Sequence, residues 1–282
     1  MTDHSVSAIL CFVTLAFAAA SAQGQTRQSS NPSELKTNDR LANSTSNAVQ
    51  DPNSEPPLSP HRFSIFGAWG LDNSFAGNMI KQADGQTISG VPINLSQTTF
   101  DDVYGRMAMF KVGVAYRWKP RVEDVGEIVI ERSGAQQVSI GTASAAHIPL
   151  TVQFDDYSYK GFEAGQHLLF ARPRFTPYAG YLVGFVRTND IHGVFVNVPA
   201  GVTPGLANQD GIFFDRGWVF TWGPTGGLTV PVGHIEILAE AQLRYVGGLS
   251  DVNWLVEEGL KDINTESARW SVPFVIGARY RF

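Results

Sequence analysis

The chain has 282 residues, a net charge of -5 at neutral pH and 17% charged residues, whereas about 25% is usual for soluble proteins. The acidic balance argues against nucleic-acid binding, which depends on a basic footprint. The single cysteine, Cys11, lies near the N-terminus, so the rest of the chain offers no disulfide and no cysteine-based metal site. The low charge, beside 28 glycines and 18 phenylalanines, needs an explanation other than an ordinary soluble surface.

The first 60 residues divide into two segments. Residues 8–20 form an apolar run, and Ala20-Ser21-Ala22 follows it as an A-x-A cleavage site, so we predict a signal peptide over residues 1–22. The run is shorter than the roughly 20 residues that a transmembrane helix needs, and its n-region departs from the usual pattern because it has Asp3 and no Lys or Arg. Residues 23–60 are rich in Ser, Asn, Gln, Thr and Pro. This composition predicts a disordered periplasmic tether.

From residue 61 the sequence alternates between apolar and polar residues with a period of two, which is typical of β-strands. In residues 106–118, for example, Phe110, Val112 and Val114 share one face and Lys111 lies on the other. The alternation predicts eight strands, at residues 62–71, 106–118, 126–132, 157–170, 176–186, 218–230, 234–245 and 269–282.

The connections between these strands alternate in length. Short turns are predicted at residues 119–125, 171–175 and 231–233, and long polar loops at 72–105, 133–156, 188–217 and 247–268. This layout predicts an all-β fold over residues 61–282, an eight-stranded antiparallel up-and-down transmembrane β-barrel with short periplasmic turns and long extracellular loops. An even number of strands places both ends of the barrel on the periplasmic side.

A soluble lipocalin-like barrel has the same alternation but an apolar interior, and Gly67-Ala68-Trp69 matches the Gly-x-Trp of lipocalin first strands. The membrane orientation is favoured because residues 176–186 and 218–230 carry no charge on either face, and because aromatic residues gather at strand ends. An arginine on the lipid side costs about 2–4 kcal/mol at the midplane, so the charged faces should point inward.

Buried charges persist when they are paired, and eight strands leave room for little more than side chains. We therefore predict a filled lumen crossed by ion pairs. The predicted network consists of Lys111, Arg117, Glu127, Glu131, Glu163, Glu236, Glu240, Arg244, Arg279 and Arg281.

Two segments resemble a known family. Val275-Ile276-Gly277-Ala278-Arg279-Tyr280-Arg281-Phe282 resembles the C-terminal strand of bacterial outer-membrane proteins, and Pro177-Tyr178-Ala179-Gly180-Tyr181-Leu182-Val183-Gly184 resembles the fifth strand of small OmpA-type and porin-like barrels. The resemblance covers residues 61–282. It implies residence in the bacterial outer membrane, exposed loops, and an assembly signal at Tyr280 and Phe282 for the barrel-assembly machinery. Such barrels serve as anchors, adhesins, serum-resistance factors or small channels, so the role stays open.

No residue pattern predicts a catalytic or metal centre. Acyl hydrolysis needs a serine beside a histidine that an acid orients, and none of the histidines after the leader stands in a His-x-Ser spacing on a strand. These are His61, His147, His167, His192 and His234. Loop carboxylates could bind the divalent ions that bridge lipopolysaccharide, but they lack an EF-hand spacing. For residues 253–263 a short amphipathic helix and a simple loop are both open.

We therefore expect a non-enzymatic, monomeric outer-membrane protein with an envelope-structural or surface-contact role through its loops. It should need no cofactor and no metal, and should meet outer-membrane lipid and lipopolysaccharide, and the assembly machinery during biogenesis. Three alternatives stay open: a porin-like small-solute channel, a lipid-modifying outer-membrane enzyme and a secreted lipocalin-like binder.

Overall fold

The computed structural model describes residues 62–88, 90–143, 147–170, 174–196, 210–251, 260 and 262–282. The predicted signal peptide and tether lie outside the described residues, as does nearly all of the segment 253–263. No helix in the described part of the chain is both long enough and apolar enough to cross a membrane.

The described residues form nineteen strands and one short helix. In chain order they are β1 (Phe63–Asn73), β2 (Asn78–Ile80), β3 (Ala83–Ile88), β4 (Val91–Leu95), β5 (Thr98–Thr99), α1 (Phe100–Tyr104), β6 (Arg106–Lys119), β7 (Val122–Ser133), β8 (Gln137–Ala143), β9 (Ile148–Phe154), β10 (Tyr157–Leu169), β11 (Thr176–Thr188), β12 (Ile191–Val196), β13 (Asp210–Asp215), β14 (Trp218–Val232), β15 (Ile235–Gln242), β16 (Arg244–Val246), β17 (Ser250–Asp251), β18 (Arg269–Ser271) and β19 (Phe274–Arg281).

Ten of these strands build one closed antiparallel barrel with eight wall positions. The wall follows the order β1, β6, β7, β10, β11, β14, β15 with β16, and β19 with β18, and β19 returns to pair with β1. The closing ladder sets Ile65 opposite Tyr280 and Leu71 opposite Phe274. Closure gives every strand two partners, which a membrane requires because lipid offers no hydrogen bonds to free backbone groups. The predicted fold is confirmed.

Side-chain polarity is inverted relative to a soluble protein. Along β1, Phe63, Ile65 and Trp69 are at least half exposed, whereas the intervening Phe66 and Ala68 are buried. The other wall strands expose apolar side chains in the same way, among them Phe110, Val112, Val114, Ile128, Val183, Phe185, Phe220, Ile237 and Ile276. Charged residues occupy the inner face instead. This arrangement contradicts the soluble lipocalin-like barrel, whose apolar face points inward.

Several strands extend beyond the predicted limits. The turn predicted at residues 119–125 is only Pro120-Arg121, because β7 starts at Val122 and keeps Glu123 and Val125 on the inner face. The predicted strands at residues 234–245 and 269–282 are each interrupted, at Leu243 and at Val272-Pro273. Proline lacks the backbone N–H that a ladder needs, which accounts for the second break.

The predicted long loops contain strands of their own, which the sequence did not predict. β3, β4, β8, β9, β12, β13 and β17 form a seven-stranded antiparallel sheet in the order β17-β13-β12-β9-β8-β4-β3. These strands lie in the four connections that were predicted to be long. We call the described residues between 74 and 105, 134 and 156, 189 and 217, and 247 and 268 the cap.

The cap has the ordinary polarity of a water-soluble fold. In β4, Ile93 and Leu95 are buried and Asn94 is exposed. A continuous apolar core runs through it, including Met79, Ile80, Phe100, Val103, Ile140, Leu150, Val152, Phe154, Phe195, Phe213, Phe214 and Ile263. The alternation within the loops was too short and too polar on its outer face to be read as strands. The change of polarity marks where lipid gives way to water.

Candidate functional site: the charged interior and its cap

The inner face of the barrel carries six basic side chains and seven acidic ones among the described residues. The basic residues are Lys111, Arg117, Arg244, Arg269, Arg279 and Arg281, and the acidic ones are Asp72, Glu123, Glu127, Glu131, Glu163, Glu236 and Glu240. The structure places all ten residues of the predicted network on this face and gives each an ion-pair partner within 4 Å.

Beneath the cap lies a layer centred on Arg269 and Glu131. Arg269 Nη2 is 3.9 Å from Glu131 Oε1 and donates to the Tyr157 hydroxyl at 2.9 Å. Its guanidinium also lies 4.6 Å from the centre of the Phe100 ring of α1. Cation–π contacts strengthen when water is excluded. Arg269 therefore joins the charged interior to the apolar core of the cap.

The next layer centres on Arg244. Its Nε and Nη2 donate to Glu163 Oε1 at 2.9 and 2.7 Å, and its Nη1 lies 3.6 Å from Glu131 Oε2. Thr221 donates a further hydrogen bond to Glu163 Oε1 at 2.7 Å, and Tyr159 donates to Glu131. Arg244 thus bridges two carboxylates from different strands, and neutral donors fix both acids in place.

Towards the short-turn end, Lys111 Nζ contacts Glu127 Oε1 at 2.8 Å and Glu240 Oε1 at 3.0 Å. The Tyr178 hydroxyl donates to the second oxygen of Glu240 at 2.8 Å. Gly227 makes room for Tyr178, because a Cβ there would lie 2.5 Å from the hydroxyl. This layer draws on β6, β7, β11, β14 and β15 and ties opposite walls together.

Nearest the short turns, Glu123 collects three basic groups. Arg279 Nη1 donates to it at 2.8 Å, His167 Nδ1 lies at 3.5 Å and Arg117 Nη2 at 3.8 Å. His167 stacks on the Tyr178 ring with centroids 4.5 Å apart. The Arg281–Glu236 pair, at 2.9 Å, completes the series and is only partly buried.

The network closes the lumen at its middle levels. The exposed fraction is at most 1% for Lys111, Glu131, Glu163, Arg244 and Arg269. Unpaired, such buried charges would cost several kcal/mol each. The side chains therefore fill the barrel, and each is held by partners on neighbouring or facing strands.

Three charged members of this interior were not predicted: Asp72, Glu123 and Arg269. Asp72 and Glu123 were assigned to connections, yet each continues the inward parity of its strand, and Glu123, Glu127 and Glu131 recur every fourth residue. Extending the first predicted strand by one residue and starting the third three residues earlier would have found both. Arg269 begins the predicted strand at residues 269–282 and shares the polar face with Arg279 and Arg281, but it was not included in the network.

The remaining histidines and loop carboxylates are scattered. His192 Nδ1 lies 3.7 Å from Asp210 Oδ1, whereas Asp190 binds Arg216 at 3.1 Å and does not orient His192. Gln166 lies at the short-turn end and donates to Asp124 at 2.9 Å. Within the described ranges, no group of three His, Cys, Asp or Glu side chains could hold a metal ion. In the cap, burial raises the pKa of Tyr104, whose hydroxyl donates to the carbonyl of Asp155 at 3.1 Å.

A closed eight-position wall, an apolar exterior, a charged interior and a water-soluble cap at one end define a transmembrane β-barrel of the bacterial outer-membrane type. No family model matches the sequence, and no curated protein matches it. Solved structures with this fold include three outer-membrane proteins.

Neisserial surface protein A is 11% identical over 78% of this chain and 97% of that chain, with a TM-score of 0.43. Ail, the attachment invasion locus protein of Yersinia pestis, is 12% identical over 79% of this chain and 99% of that one, with a TM-score of 0.40. The outer membrane protease OmpT of Escherichia coli is 11% identical over 81% of this chain and 100% of that one, with a TM-score of 0.39.

Likenesses this distant concern the fold alone, so the class rests on the strand register and the distribution of side chains.

Proposed function

We propose that the protein is a non-enzymatic, monomeric barrel of the outer membrane with an envelope-structural or surface-contact role, and that the cap is the part that makes contacts. The observation that carries this proposal is the lumen, which is filled by paired side chains under an apolar core. Side chains held this tightly make the barrel rigid, and they leave little space for the passage of a solute or for binding a substrate.

The construction of the cap supports a contact role. Its sheet has an apolar inner face and a polar outer face, so it keeps its own shape in water. Lys81 and Glu266 form an exposed ion pair in the cap at 2.8 Å. Binding surfaces are commonly carried on loops positioned by a rigid scaffold, and here the scaffold is the barrel.

Single-channel recording in planar bilayers tests the proposal against the porin-like alternative. We expect no conductance steps above background from the purified barrel, in bilayers where a known porin conducts. The double variant Glu163→Ala and Arg244→Ala removes one buried ion pair, keeps the net charge and widens the lumen. Recordings from this variant show whether the paired side chains in the lumen block ions. Steps from the wild-type protein would favour the channel instead.

The enzymatic alternative has two candidate histidines. His167 is buried against Glu123 and Tyr178, and His192 lies beside Asp210 in the cap. We compare the lipid A of cells that express the wild-type protein, His167→Ala or His192→Ala with the lipid A of cells that lack the protein. All four lipid A profiles should be the same. A lipid product that depends on either histidine would contradict the proposal.

Biogenesis is part of the proposal. We propose that residues 1–22 are removed on export, that residues 23–60 form a tether, and that the assembly machinery recognises β19 through Tyr280 and Phe282, both exposed on its outer face. N-terminal sequencing of the outer-membrane protein tests the cleavage site. Replacing Phe282 with Ser should lower the heat-modifiable fraction, whereas Phe75→Ser, at an exposed cap residue, should leave it unchanged.

A further inference from the structure

The outer surface of the barrel carries a row of basic side chains at its cap end. Arg106, Arg132, Lys160 and Arg187 lie on β6, β7, β10 and β11, which are consecutive in the wall, and each stands within four residues of the end where its strand meets the cap. All four are exposed, on the same side as the lipid-facing residues. We call these four residues the basic arc.

The positive charges of the basic arc are not balanced by carboxylates among the described residues. Lys160 and Arg187 are direct cross-strand partners, and like charges in that position destabilise a sheet. None of the four has an ion-pair partner among the described residues. Two nearby carboxylates are engaged elsewhere, since Asp190 binds Arg216 and Asp156 accepts from the backbone N–H of Ala135. Neither carboxylate therefore neutralises the basic arc, which stays free to bind an anion.

Apolar side chains follow directly below the basic arc on the lipid-facing side. Ile130, Phe162 and Phe185 lie two residues from Arg132, Lys160 and Arg187 respectively, towards the middle of the wall. A groove of about 380 Å³ lies at this boundary, lined by Ile130, Arg132, Lys160 and Arg187 and by the ion pair of Arg216 and Asp190. A ligand for such a groove must combine an anionic head with an apolar body.

The opposite half of the rim is built differently. There the residues at the same end are Trp69, Trp218, Tyr245 and Trp270, which suit the interface of a bilayer without a specific charge. Among the described outward-facing residues at the cap end of the wall strands, the positive charge is thus confined to one side, whereas a general interfacial role would distribute it around the whole rim.

We propose that the basic arc binds the phosphate groups of an outer-leaflet lipid, whose acyl chains pack along Phe162 and Phe185. Arginine matches phosphate oxygens with paired N–H groups, and lysine acts as a point charge. A bound phosphate would relieve the repulsion between Lys160 and Arg187. This proposal does not depend on the role of the cap, and either can fail without the other.

Native mass spectrometry of the full barrel in zwitterionic detergent tests the proposal, with bis-phosphorylated lipid A and the same lipid stripped of phosphate as probes. The wild-type protein should bind the phosphorylated form at least about ten-fold more tightly. Each basic residue near a membrane surface contributes about a factor of five to the affinity. The double variant Lys160→Gln and Arg187→Gln should therefore bind it about 30-fold more weakly.

The matched control removes one lysine and one arginine at the other end of the barrel, with Lys119→Gln and Arg121→Gln. These residues are exposed beside a short turn, so affinity should be unchanged. Equal loss in both double variants, or no loss in the first, would overturn the proposal. Displacement of the lipid by inorganic phosphate at about the lipid concentration would also overturn it, because the site would then recognise free phosphate.

Thermal unfolding of the lipid-free proteins shows that weak binding is not misfolding. Removing two opposed like charges should leave the unfolding temperature of the Lys160→Gln and Arg187→Gln variant equal to that of the wild type or higher. A lower temperature would mean that these side chains are structural, against the proposal.

Discussion

Lys111 lies between two buried carboxylates from different strands, with Nζ 2.8 Å from Glu127 Oε1 and 3.0 Å from Glu240 Oε1. The three residues come from β6, β7 and β15, and Tyr178 on β11 donates to Glu240. Side chains from four strands of the barrel thus meet around this ion pair. Removal of the Lys111 ammonium group would leave Glu127 and Glu240 without their cation.

Replacing Lys111 with Met keeps most of the side-chain volume and removes the charge. Breaking a buried ion pair on one side typically costs about 3–5 kcal/mol, so we expect a loss of that size in the free energy of unfolding. Urea titration followed by gel mobility without boiling measures it. Lys119→Met, at an exposed residue over the Trp118 ring, should cost no more than about 1 kcal/mol. Equal losses of unfolding free energy in the two variants would mean that Lys111 stabilises the barrel no more than an exposed lysine does.

Gly227 and Gly226 are neighbours with different surroundings. A Cβ on Gly227 would come within 2.4 Å of the Ala239 carbonyl and 2.5 Å of the Tyr178 hydroxyl, whereas on Gly226 the nearest atom is 3.7 Å away. Gly227→Ala should therefore displace Tyr178 from Glu240 and destabilise the barrel by about 1–3 kcal/mol. Gly226→Ala should stay within about 0.5 kcal/mol of the wild type. The same urea titration compares them, and a tolerated Gly227→Ala would show that Tyr178 is dispensable.

Phe100 connects the cap to the interior through Arg269. It is fully buried, and α1 is fixed by a capping box between Thr99 and Asp102. Phe100→Ala should destabilise the cap by about 3–5 kcal/mol through the cavity it leaves, seen as faster hydrogen exchange and proteolysis in the cap. The barrel should remain heat-modifiable, because its ladders do not include Phe100. Phe75→Ala, at an exposed residue of the same type, is the control, and equal protection in both variants would contradict the prediction.

Lys81 and Glu266 give the cap a measurable pH dependence. The hydrogen bond from Lys81, followed by that from Asn78, lowers the pKa of Glu266 below its ordinary 4.5, and the hydrogen bond to Glu266 raises the pKa of Lys81 above 10.5. The contribution of Glu266 is therefore complete above 4.5 and is lost as the pH falls through its lowered pKa. The contribution of Lys81 is complete below 10.5 and is lost only as the pH rises through its raised pKa.

Carbon-13 NMR titration of the Glu266 carboxylate measures this shift. Lys81→Gln should move the titration midpoint of Glu266 most of the way back to 4.5, the ordinary pKa. It removes the hydrogen bond from Lys81, which lowers this pKa most. Lys160→Gln, on the barrel wall, should not move it. A wild-type midpoint already at the ordinary value would show that the pair does not persist in solution.

Much of the barrel could be predicted from the sequence because a lipid-facing strand must alternate. Apolar residues such as Ile65, Phe110 and Ile276 recur at every second position of their own strands and indicate the outer face. Charged residues at the alternate positions, such as Lys111, Glu127 and Glu240, indicate the inner face. This periodicity is a local property of each strand. Strand number, orientation of the faces and the existence of an inner charged set therefore followed from residue order alone.

The tertiary structure decided what local pattern could not. Which cation meets which carboxylate depends on the register around a closed wall, and Arg244 meets Glu163 although 81 residues separate them. The cap depends on pairings between loops far apart in sequence, such as β4 with β8 and β9 with β12, so its strands gave too weak a signal one at a time. The inward residues Asp72 and Glu123 were missed for another reason, because the predicted strands ended short of them although the local alternation continues through both. A periodic sequence determines the faces of a strand, whereas closure of the sheet determines which side chains meet.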